Sequence, residues 1–590
     1  MEIDNAGAAK RGREDRISKL HDRVLGHVLS FLPSDEAARA AALSTRWRDA
    51  FAGVHTLSLE EPEGPPIPTN EYVGRRRPSS PGYDWPNELD DPPSRFGATI
   101  TAAIVARHRR RPDTDAPPLR ALRVALDAYR CSDSVAVDQW VSYALKQAGP
   151  ALELDLRVKR LPIDCPRAYP TSPYDPAGPY VPAGPYVPAG RGGARAASTP
   201  EQKEDHTVDG DEIDGDLPSG GGDDDDIVSS VDEYSPWVPQ LDYRFPGSLF
   251  SCTALRSLRI GPCRLSPPSS INLPSLEELL LSRVSDGEEE VQRLVSACPR
   301  LIDLTLEACD TVTTLSIFDV CLRRLALRCC HNLAGVTVDA SELSVFEYRG
   351  AVPEITFLTT FGAKGWFLAM PSLASCTVDI CGGEISSEEE LDRLTAFLHH
   401  LASTKHLRLR SARLGPGIGR STDTRLPTFT KLRHLELRGH LPHDNDGATI
   451  IDTTSRILRH APNLEVLSLV FETGTTTADD DGAVRCGRYR NWKEVELLDA
   501  HVLKYNRYNV LIAPPGVMIP CLANRLREIN LLHYQGGRVQ RTLAKFLLCN
   551  APAIDKLWCQ FAEGPLWIQT ELMREMKAWV LNEKANTVFR

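Results

Sequence analysis

LRSLRIGPC, residues 255–263, carries the pattern that decides the fold, Leu-x-x-Leu-x-Leu-x-x-Cys. The same spacing returns in LIDLTLEAC (301–309) and in LRRLALRCC (322–330). From Leu255 to Leu464, successive copies begin 21, 25, 21, 21, 30, 31, 28 and 32 residues apart. Periods of this length indicate a stack of similar units, none of which can bury a core by itself.

Other copies keep the inner apolar positions and vary the last one. LASCTVDIC (373–381) places Cys376 and Val378 at those positions, and three copies lack the final cysteine: LEELLLSRV (276–284), LRHLELRGH (432–440) and LEVLSLVFE (464–472). Weaker copies begin near Val54, Leu119, Ala151, Leu343, Thr404, Leu526 and Ile554. Each Leu-x-Leu predicts a short strand that turns alternate side chains inward. Stacked copies predict an α/β solenoid with a parallel sheet on its concave side and helices on its convex side.

Helices are predicted between the strands. SSEEELDRLTAFLHHLAST (386–404) opens with a Ser387/Glu390 capping box and continues with apolar residues at helical spacing, and EEEVQRLVSACP (288–299) is a shorter version. These segments are expected to return the chain from one strand to the next.

Fifteen cysteines are expected to be reduced thiols, because the N-terminus has no apolar core for a secretory signal. Cys263, Cys309, Cys330 and Cys381 take the turn position after a strand, where a small buried residue fits. Cys329-Cys330-His331 has residue types that bind metal ions, but no second Cys-x-x-Cys or His-x-x-x-His pair accompanies it in the sequence. We therefore expect a structural role for it, and neither a metal ion nor another cofactor.

A different pattern occupies residues 15–51, DRISKLHDRVLGHVLSFLPSDEAARAAALSTRWRDAF. Apolar residues recur every three or four positions up to Leu32, and Pro33 stops the run. Ser34 is expected to be the N-cap of a second helix, which is rich in alanine and suited to close helix packing. A segment this short needs a partner or a larger domain to rest on. Two interpretations of the segment therefore remain: a module that docks on a partner protein, and an N-terminal cap on a larger domain of the same chain.

This segment resembles a plant F-box. The family's Asp-Arg-Ile-Ser is Asp15–Ser18, its Phe-Leu-Pro is Phe31–Pro33 and its Leu-Ser-x-Arg-Trp-Arg is Leu43–Arg48. The family usually has Leu-Pro where this chain has Leu20-His21. The resemblance implies contact with a Skp-family adaptor, and the expected adaptor-binding residues are Ile17, Leu20, Val24, Leu25, Val28, Leu29, Leu32, Pro33, Leu43 and Trp47. Some of them must pack internally, and the sequence does not divide the set.

The repeats resemble the leucine-rich repeats of plant F-box proteins, and residues 525–559 are similar to the FBD-type C-terminal region of many of them. The resemblance implies a non-catalytic substrate-recognition subunit of an SCF-type ubiquitin ligase, linked through its adaptor to a cullin and a RING subunit. Its target, its pathway and any assisting small molecule are not readable from the sequence. The alternative is an interaction scaffold whose F-box-like segment only caps the solenoid.

The expected organisation has six parts. They are a disordered N-terminus (1–14), the F-box (15–51), a first solenoid part (52–160, with a loop at 60–95), a low-complexity disordered insert (161–246), the main solenoid (247–520, with a partly ordered insert at 473–520) and an FBD-like end (521–590). Within the insert, residues 201–233 hold 14 acidic residues and one lysine. We expect a solvated spacer there, although it could attract basic partners or carry phosphates.

Charge and motifs exclude several functions. The net charge is −11, but outside 201–233 basic and acidic residues nearly balance, so no nucleic-acid-binding face is indicated. No apolar run is long enough to span a bilayer, and a cytoplasmic or nuclear location is expected. RHRRR (107–111) is expected to end a repeat helix, with a nuclear localisation signal as the alternative. GxxxxGK[ST], HExxH and GxSxG are absent, and no nucleophile–base pair is identified.

Overall fold

A computed structural model describes most of the chain. The described residues are 17, 19–61, 95–108, 117–126, 133–157, 165, 243–318, 322–362, 365–367, 370–383, 385, 387–415, 426–441, 447–472, 502–511, 516 and 518–590. The predictions for residues 1–14 and for nearly all of 60–95 and 161–246 lie outside them, as does the prediction for 473–501.

The repeats build one parallel sheet of 15 strands among the described residues. In spatial order the strands are β1 (Thr56–Glu60), β2 (Leu119–Ala125), β3 (Ala148–Arg157), β4 (Leu255–Gly261), β5 (Glu278–Ser282), β6 (Asp303–Glu307), β8 (Arg324–Arg328), β10 (Val345–Gly350), β13 (Ser375–Ile380), β14 (His406–Arg413), β15 (His434–His440), β16 (Val466–Phe471), β17 (Glu528–Tyr534), β18 (Lys556–Phe561) and β19 (Asn586–Phe589). Every strand pair in this sheet is parallel, so the carboxyl ends of its strands lie along one edge.

One row of buried side chains crosses fourteen of these strands in register. It consists of Leu57, Leu122, Leu154, Leu258, Leu279, Leu304, Leu325, Phe346, Cys376, Leu407, Leu435, Leu467, Ile529 and Leu557. None is more than 3% exposed. The strands predicted from the strong copies and from the weak ones are thereby confirmed. A one-residue slip would turn the whole row to the other face of the sheet, so this row fixes the register.

Helices form where the sequence predicts them. The described helices are α1 (Asp22–Leu29), α2 (Ser34–Ala42), α3 (Thr45–Phe51), α4 (Arg95–His108), α5 (Ser134–Lys146), α6 (Glu288–Ser296), α7 (Glu388–His400), α8 (Gly447–Arg459), α9 (Pro520–Asn524), α10 (Arg538–Cys549) and α11 (Leu566–Trp579). Helix α7 begins at its predicted cap, where the Ser387 hydroxyl accepts a hydrogen bond from the Glu390 amide at 3.1 Å. Its apolar face, including Leu394 and Leu398, is buried.

Three connections contain strands where helices were expected. The strands β7 (Thr314–Ile317), β9 (Gly335–Asp339), β11 (Leu358–Gly362) and β12 (Gly365–Phe367) form a second sheet in the order β12-β11-β9-β7. The repeats that begin at Leu301 and Leu322 are only 21 residues long. A strand of four or five residues fits such a return, and a helix of three turns does not.

A single apolar core connects the N-terminal helices with the repeats, from Leu25 through to Met576. The turn cysteines Cys263, Cys309 and Cys381 are buried as expected, and Cys330 is half-buried. The described cysteines are free thiols. Within the described part of the chain, no helix combines the length and the apolar character needed to cross a membrane.

Candidate functional site

Six of the predicted adaptor-binding residues, in and beside α1, fall into two stripes. Leu25 and Leu29 point into the core and are at most 1% exposed. A second stripe, one residue earlier in helical phase, repeats every fourth position and stays accessible, with each member between 36% and 44% exposed: Leu20, Val24, Val28 and Leu32. Val24 and Val28 share one face of α1 because they are four residues apart, while Leu20 and Leu32 lie just outside the two ends of the helix. We call this second stripe the outer stripe.

More apolar surface adjoins the outer stripe in the sequence. Leu43 is 80% exposed and Ile17 is 56% exposed, while Pro33 is also exposed. Trp47 is half-buried and packs against the core. Phe31 is 74% exposed, and the predicted set omitted it. Its ring centroid lies 4.9 Å from that of His27, edge to face.

The corrections to the predicted set concern Leu25 and Leu29. Both were expected among the adaptor-binding residues, and both are covered by the module's own helices and by the core. The reason is helical phase, since a residue one position along an α-helix points about 100° away from its neighbour. Their side chains stabilise the module and are not available to a partner in this conformation.

His21 has a structural role at the start of α1. It is the N-cap residue, and its Nδ1 accepts a hydrogen bond from the Arg23 amide at 3.2 Å. Its φ of −65° is the value that proline also adopts, so the helix starts normally although the usual Leu-Pro is absent. Arg46 on α3 stabilises the same end of α1, because its guanidinium donates hydrogen bonds to the Asp22 carboxylate at 2.9 Å and to the Leu20 carbonyl.

Small residues let the three helices pack closely. A Cβ added at Gly26 would lie 2.9 Å from the Ala50 carbonyl oxygen and 3.0 Å from the Gly53 backbone. Ala37 and Ala41 of α2 are buried, as the alanine-rich pattern predicts. This close packing holds the module together although its helices contain only 8, 9 and 7 residues.

Two serines attach the module to the first strand of the sheet. The Ser34 hydroxyl accepts a hydrogen bond from the Ser58 amide at 2.8 Å, and the Ser30 hydroxyl accepts one from the His55 amide at 3.1 Å. Since β1 is the edge strand, these hydroxyls satisfy amides that a neighbouring strand would otherwise bind. The prediction of Ser34 as an N-cap was wrong: Pro33 is the N-cap residue, and Ser34 is 2% exposed against β1.

Arg107 secures the same junction from the other side. It lies in the last turn of α4, is 2% exposed, and donates hydrogen bonds to the Val54 carbonyl, the Pro117 carbonyl and the Tyr143 hydroxyl, at 2.7, 2.7 and 2.6 Å. The prediction that the basic run ends a repeat helix is confirmed for Arg107. A buried cation with three partners is a structural element and not part of an exposed signal.

A histidine pair lies beside the serine contacts. Nδ1 of His27 lies 2.9 Å from Nε2 of His55. Burial, and secondarily the neighbouring His27, lowers the pKa of His55 below its ordinary value. The contact between module and sheet therefore favours a neutral His55.

The sheet face opposite the core is lined with ion pairs between neighbouring strands. Arg328 lies 2.5 Å from Glu307 on one side and 2.7 Å from Glu347 on the other. Further along, Arg410 and Arg438 share Glu472 at 2.8 and 2.7 Å. These charges neutralise each other, so the face offers hydrogen-bonding groups in fixed positions without a strong net charge.

Comparison with known proteins identifies the repeats. Residues 229–411 match the family model described as At1g61320/AtMIF1, LRR domain. The match covers the strands from β4 to β13 and reaches into β14, which is the region with the strongest Leu-x-x-Leu-x-Leu copies.

Relatives in Arabidopsis thaliana match shorter parts of the chain. The putative F-box protein At1g58310 is 28% identical over 145 residues, which is 25% of this chain and 26% of that protein. The F-box/FBD/LRR-repeat protein At5g22660 is 41% identical over 58 residues, which is 10% of this chain and 13% of that protein. F-box/LRR-repeat protein 13 is 32% identical over 90 residues, or 15% of this chain and 19% of that protein. The chain thus matches about a quarter or less of these relatives' length.

The repeat ladder, the matched repeat family and these relatives agree with one another. They show that the chain is similar to plant F-box and leucine-rich-repeat proteins, with the repeat family matched over residues 229–411.

Proposed function

We propose that this chain is the substrate-recognition subunit of an SCF-type ubiquitin ligase. Its N-terminal helices would bind a Skp-family adaptor, which connects to a cullin and a RING subunit, and its repeats would bind a target protein. The chain would act in the cytoplasm or the nucleus.

The outer stripe is the observation that carries this proposal. Leu20, Val24, Val28 and Leu32 form an accessible apolar row on a module whose inner stripe is already packed. A folded chain gains nothing by exposing such a row to water, and contiguous exposed apolar patches mark interaction sites. A partner helix with its own apolar face would cover the row and the adjacent Leu43.

Catalysis in this proposal is a matter of proximity. The chain would supply no catalytic residue. It would hold a target lysine near a ubiquitin-charged enzyme and thereby raise the effective concentration of the two. The target-binding surface we favour is the ion-paired sheet face, because its polar groups are held in fixed positions by neighbouring strands.

An interaction scaffold is the second candidate, and one observation favours it. The hydroxyls of Ser30 and Ser34 accept hydrogen bonds from the His55 amide, just before β1, and from the Ser58 amide in β1, which supports a capping role. Capping uses the inner side of the module and leaves the outer stripe unoccupied. The two roles are therefore compatible, and adaptor binding is what distinguishes the candidates.

Adaptor binding is tested by co-purification of the full chain with a Skp-family adaptor. Val24→Asp combined with Val28→Asp places two charges on the outer stripe, and desolvating them at an interface should weaken binding by at least tenfold. Because both side chains are exposed, the melting temperature of the free chain should change little.

Val135→Asp is the matched control, since Val135 is a valine on helix α5 that is 65% exposed. It should leave adaptor binding intact. Absence of adaptor binding by the folded wild-type chain would contradict the ligase proposal and leave the scaffold role.

The target is sought by proximity labelling with the full chain while the proteasome is inhibited. A target should accumulate among the labelled proteins together with the adaptor. It should be labelled equally by the Val24/Val28 variant, since the repeats are unchanged, but should no longer be degraded in a cullin-dependent way.

A further inference from the structure

Three cysteines and a histidine meet at the carboxyl-end edge of the main sheet. Cys329 directly follows β8, and Cys381 directly follows β13. His331 lies two residues beyond Cys329, and Cys165 belongs to the segment after β3. The three cysteines are buried and form an apolar cluster of their own, separate from the main core.

The potential ligand atoms lie close together. The Cys165 sulfur lies 3.0 Å from Nε2 of His331. One ligand atom from each of Cys165, Cys329 and His331 fits within 4.8 Å of the others. Cys381 packs in the same cluster as Cys165 and Cys329, but its sulfur does not join the three ligand atoms that lie within 4.8 Å of one another. Zinc–sulfur bonds of about 2.3 Å and zinc–nitrogen bonds of about 2.0 Å place neighbouring ligands roughly 3.3–3.8 Å apart. The atoms of Cys165, Cys329 and His331 would therefore contract slightly around an ion, and the Cys381 side chain would move toward them to complete the tetrahedron.

The surroundings suit a metal ion bound by thiolates. Three thiolates and a neutral imidazole around a divalent cation carry a net charge of −1. The Arg349 guanidinium, whose side chain is 15% exposed and which is paired with Asp379 at 3.5 Å, lies beside Cys329 and Cys381 and would offset part of this charge. Nδ1 of His331 is buried without a hydrogen-bond partner among the described residues, and the polar contact of this ring is the one between Nε2 and the Cys165 sulfur.

We propose that Cys165, Cys329, His331 and Cys381 form a structural zinc site. Three cysteines and one histidine are a frequent tetrahedral ligand set for zinc, and soft thiolates disfavour magnesium and calcium. All four positions would be filled by the protein, so the site has no open position for a substrate and would be structural.

The ion would act as a cross-link between distant repeats. Cys165 would be joined to the ends of β8 and β13, which β4, β5 and β6 separate from β3 in the sheet order. The first part of the chain would thereby be attached to the main repeats at a second place, besides the strand pairing of β3 with β4. This inference does not depend on adaptor binding.

Metal content of the full chain tests the proposal. Wild-type protein, purified in reductant and dialysed against a weak chelator, should retain about one zinc per chain by mass spectrometric metal analysis. Cys165→Ser and His331→Gln should each lose it. Cys330→Ser is the control, because Cys330 is adjacent to Cys329 and its sulfur lies 3.6 Å from the Arg328 carbonyl, outside the cluster. This control should keep the zinc.

Cobalt substitution of the wild-type chain keeps the test informative even if a variant fails to fold. Tetrahedral thiolate ligation should give intense sulfur-to-cobalt charge-transfer absorption. Wild-type protein without zinc and with free thiols would overturn the proposal. So would a disulfide between Cys165 and Cys329 or Cys381 in reductant-free protein, or zinc that persists in both ligand variants.

Discussion

The N-terminal helices and the main sheet treat their apolar side chains differently. In the sheet, the row from Leu57 to Leu557 is almost completely buried, and the opposite face carries ion pairs. In the helical module, one stripe is buried and a second stripe of similar composition is left accessible. Both faces of the sheet are therefore satisfied within the chain, one by burial and one by ion pairs. The module has only its inner face covered, and its outer face stays open to solvent.

The size of the two regions accounts for this difference. A stack of repeats buries each strand against the next, so its core grows with every copy. Three helices of 8, 9 and 7 residues enclose too little volume to bury both stripes, even with β1 against them. The remaining stripe is surface that only another molecule can cover.

Leu304→Ala should have the largest effect on stability, because it opens a cavity inside the buried row. Leu304 is 0% exposed and pairs in register with Leu279 and Leu325. We expect a loss of about 2–5 kcal/mol in the unfolding free energy, measured by denaturant titration. Ile355→Ala, at a position 64% exposed, is the control and should change little. A small loss at Leu304 would contradict the view of the sheet as a closed core.

Arg107→Met should have the next largest effect and should act on the junction between the two regions. It removes the donor to the Val54 and Pro117 carbonyls, and a buried acceptor left unsatisfied costs about 1–3 kcal/mol. Hydrogen exchange should show faster opening of β1. Val105→Ala, 40% exposed on the same helix, should leave exchange unchanged. Unchanged exchange in Arg107→Met would mean that the serine contacts alone hold the junction.

Acidification should destabilise the junction by less than the Arg107→Met substitution does. The pKa of folded His55 is lowered by burial and then by His27, so below about pH 6.5 the unfolded chain binds the proton more readily. Stability is therefore fully present above that pH and falls as the pH drops toward the folded pKa. The melting temperature from pH 7.5 to 5.5 measures this, and His27→Ala should reduce the slope. An equal slope in that variant would remove His27 as a cause.

Leu43→Ala should have the smallest effect on the isolated chain. Leu43 is 80% exposed, and surface substitutions usually change stability by less than about 0.5 kcal/mol. Leu25→Ala on the inner stripe is the contrast and should cost about 2–5 kcal/mol. The melting temperatures of the two variants measure the difference between the stripes. Equal losses of stability in the two variants would contradict the division of the module into a buried inner stripe and an exposed outer side.

Much of this architecture is predictable from the sequence because the repeat spacing is local information. Each Leu-x-Leu predicts a strand, and the capping box at Ser387 predicts the start of α7, which the structure confirms. The F-box resemblance selects residues 15–51, where the structure has the three short helices α1, α2 and α3. The sequence does not separate the expected adaptor-binding residues into buried and exposed ones. Apolar residues three or four positions apart fit two adjacent faces of a helix equally well, and only the packing shows which face is buried.

The remaining features depend on contacts between residues far apart in the chain. Cys165 and His331 are separated by 166 positions, so no spacing motif could pair them. Arg107 belongs to a basic run typical of exposed segments, and only the fold places its partners Val54 and Tyr143 beside it. The second sheet leaves two signals in the sequence. The repeats from Leu301 and Leu322 are only 21 residues long, and apolar residues alternate with polar ones in TLSI (314–317) and GVTVD (335–339), as in a strand.

The parallel arrangement of the main sheet has a consequence for how such a chain can diversify. The longest connections between successive strands of the main sheet, 61–118, 158–254 and 472–527, each follow the carboxyl end of a strand, β1, β3 and β16 respectively. Length and composition can change there without shifting any buried leucine, because the next strand re-enters at the opposite edge. Descendants of one ancestral gene could thus acquire new insertions along this edge while inheriting the same scaffold.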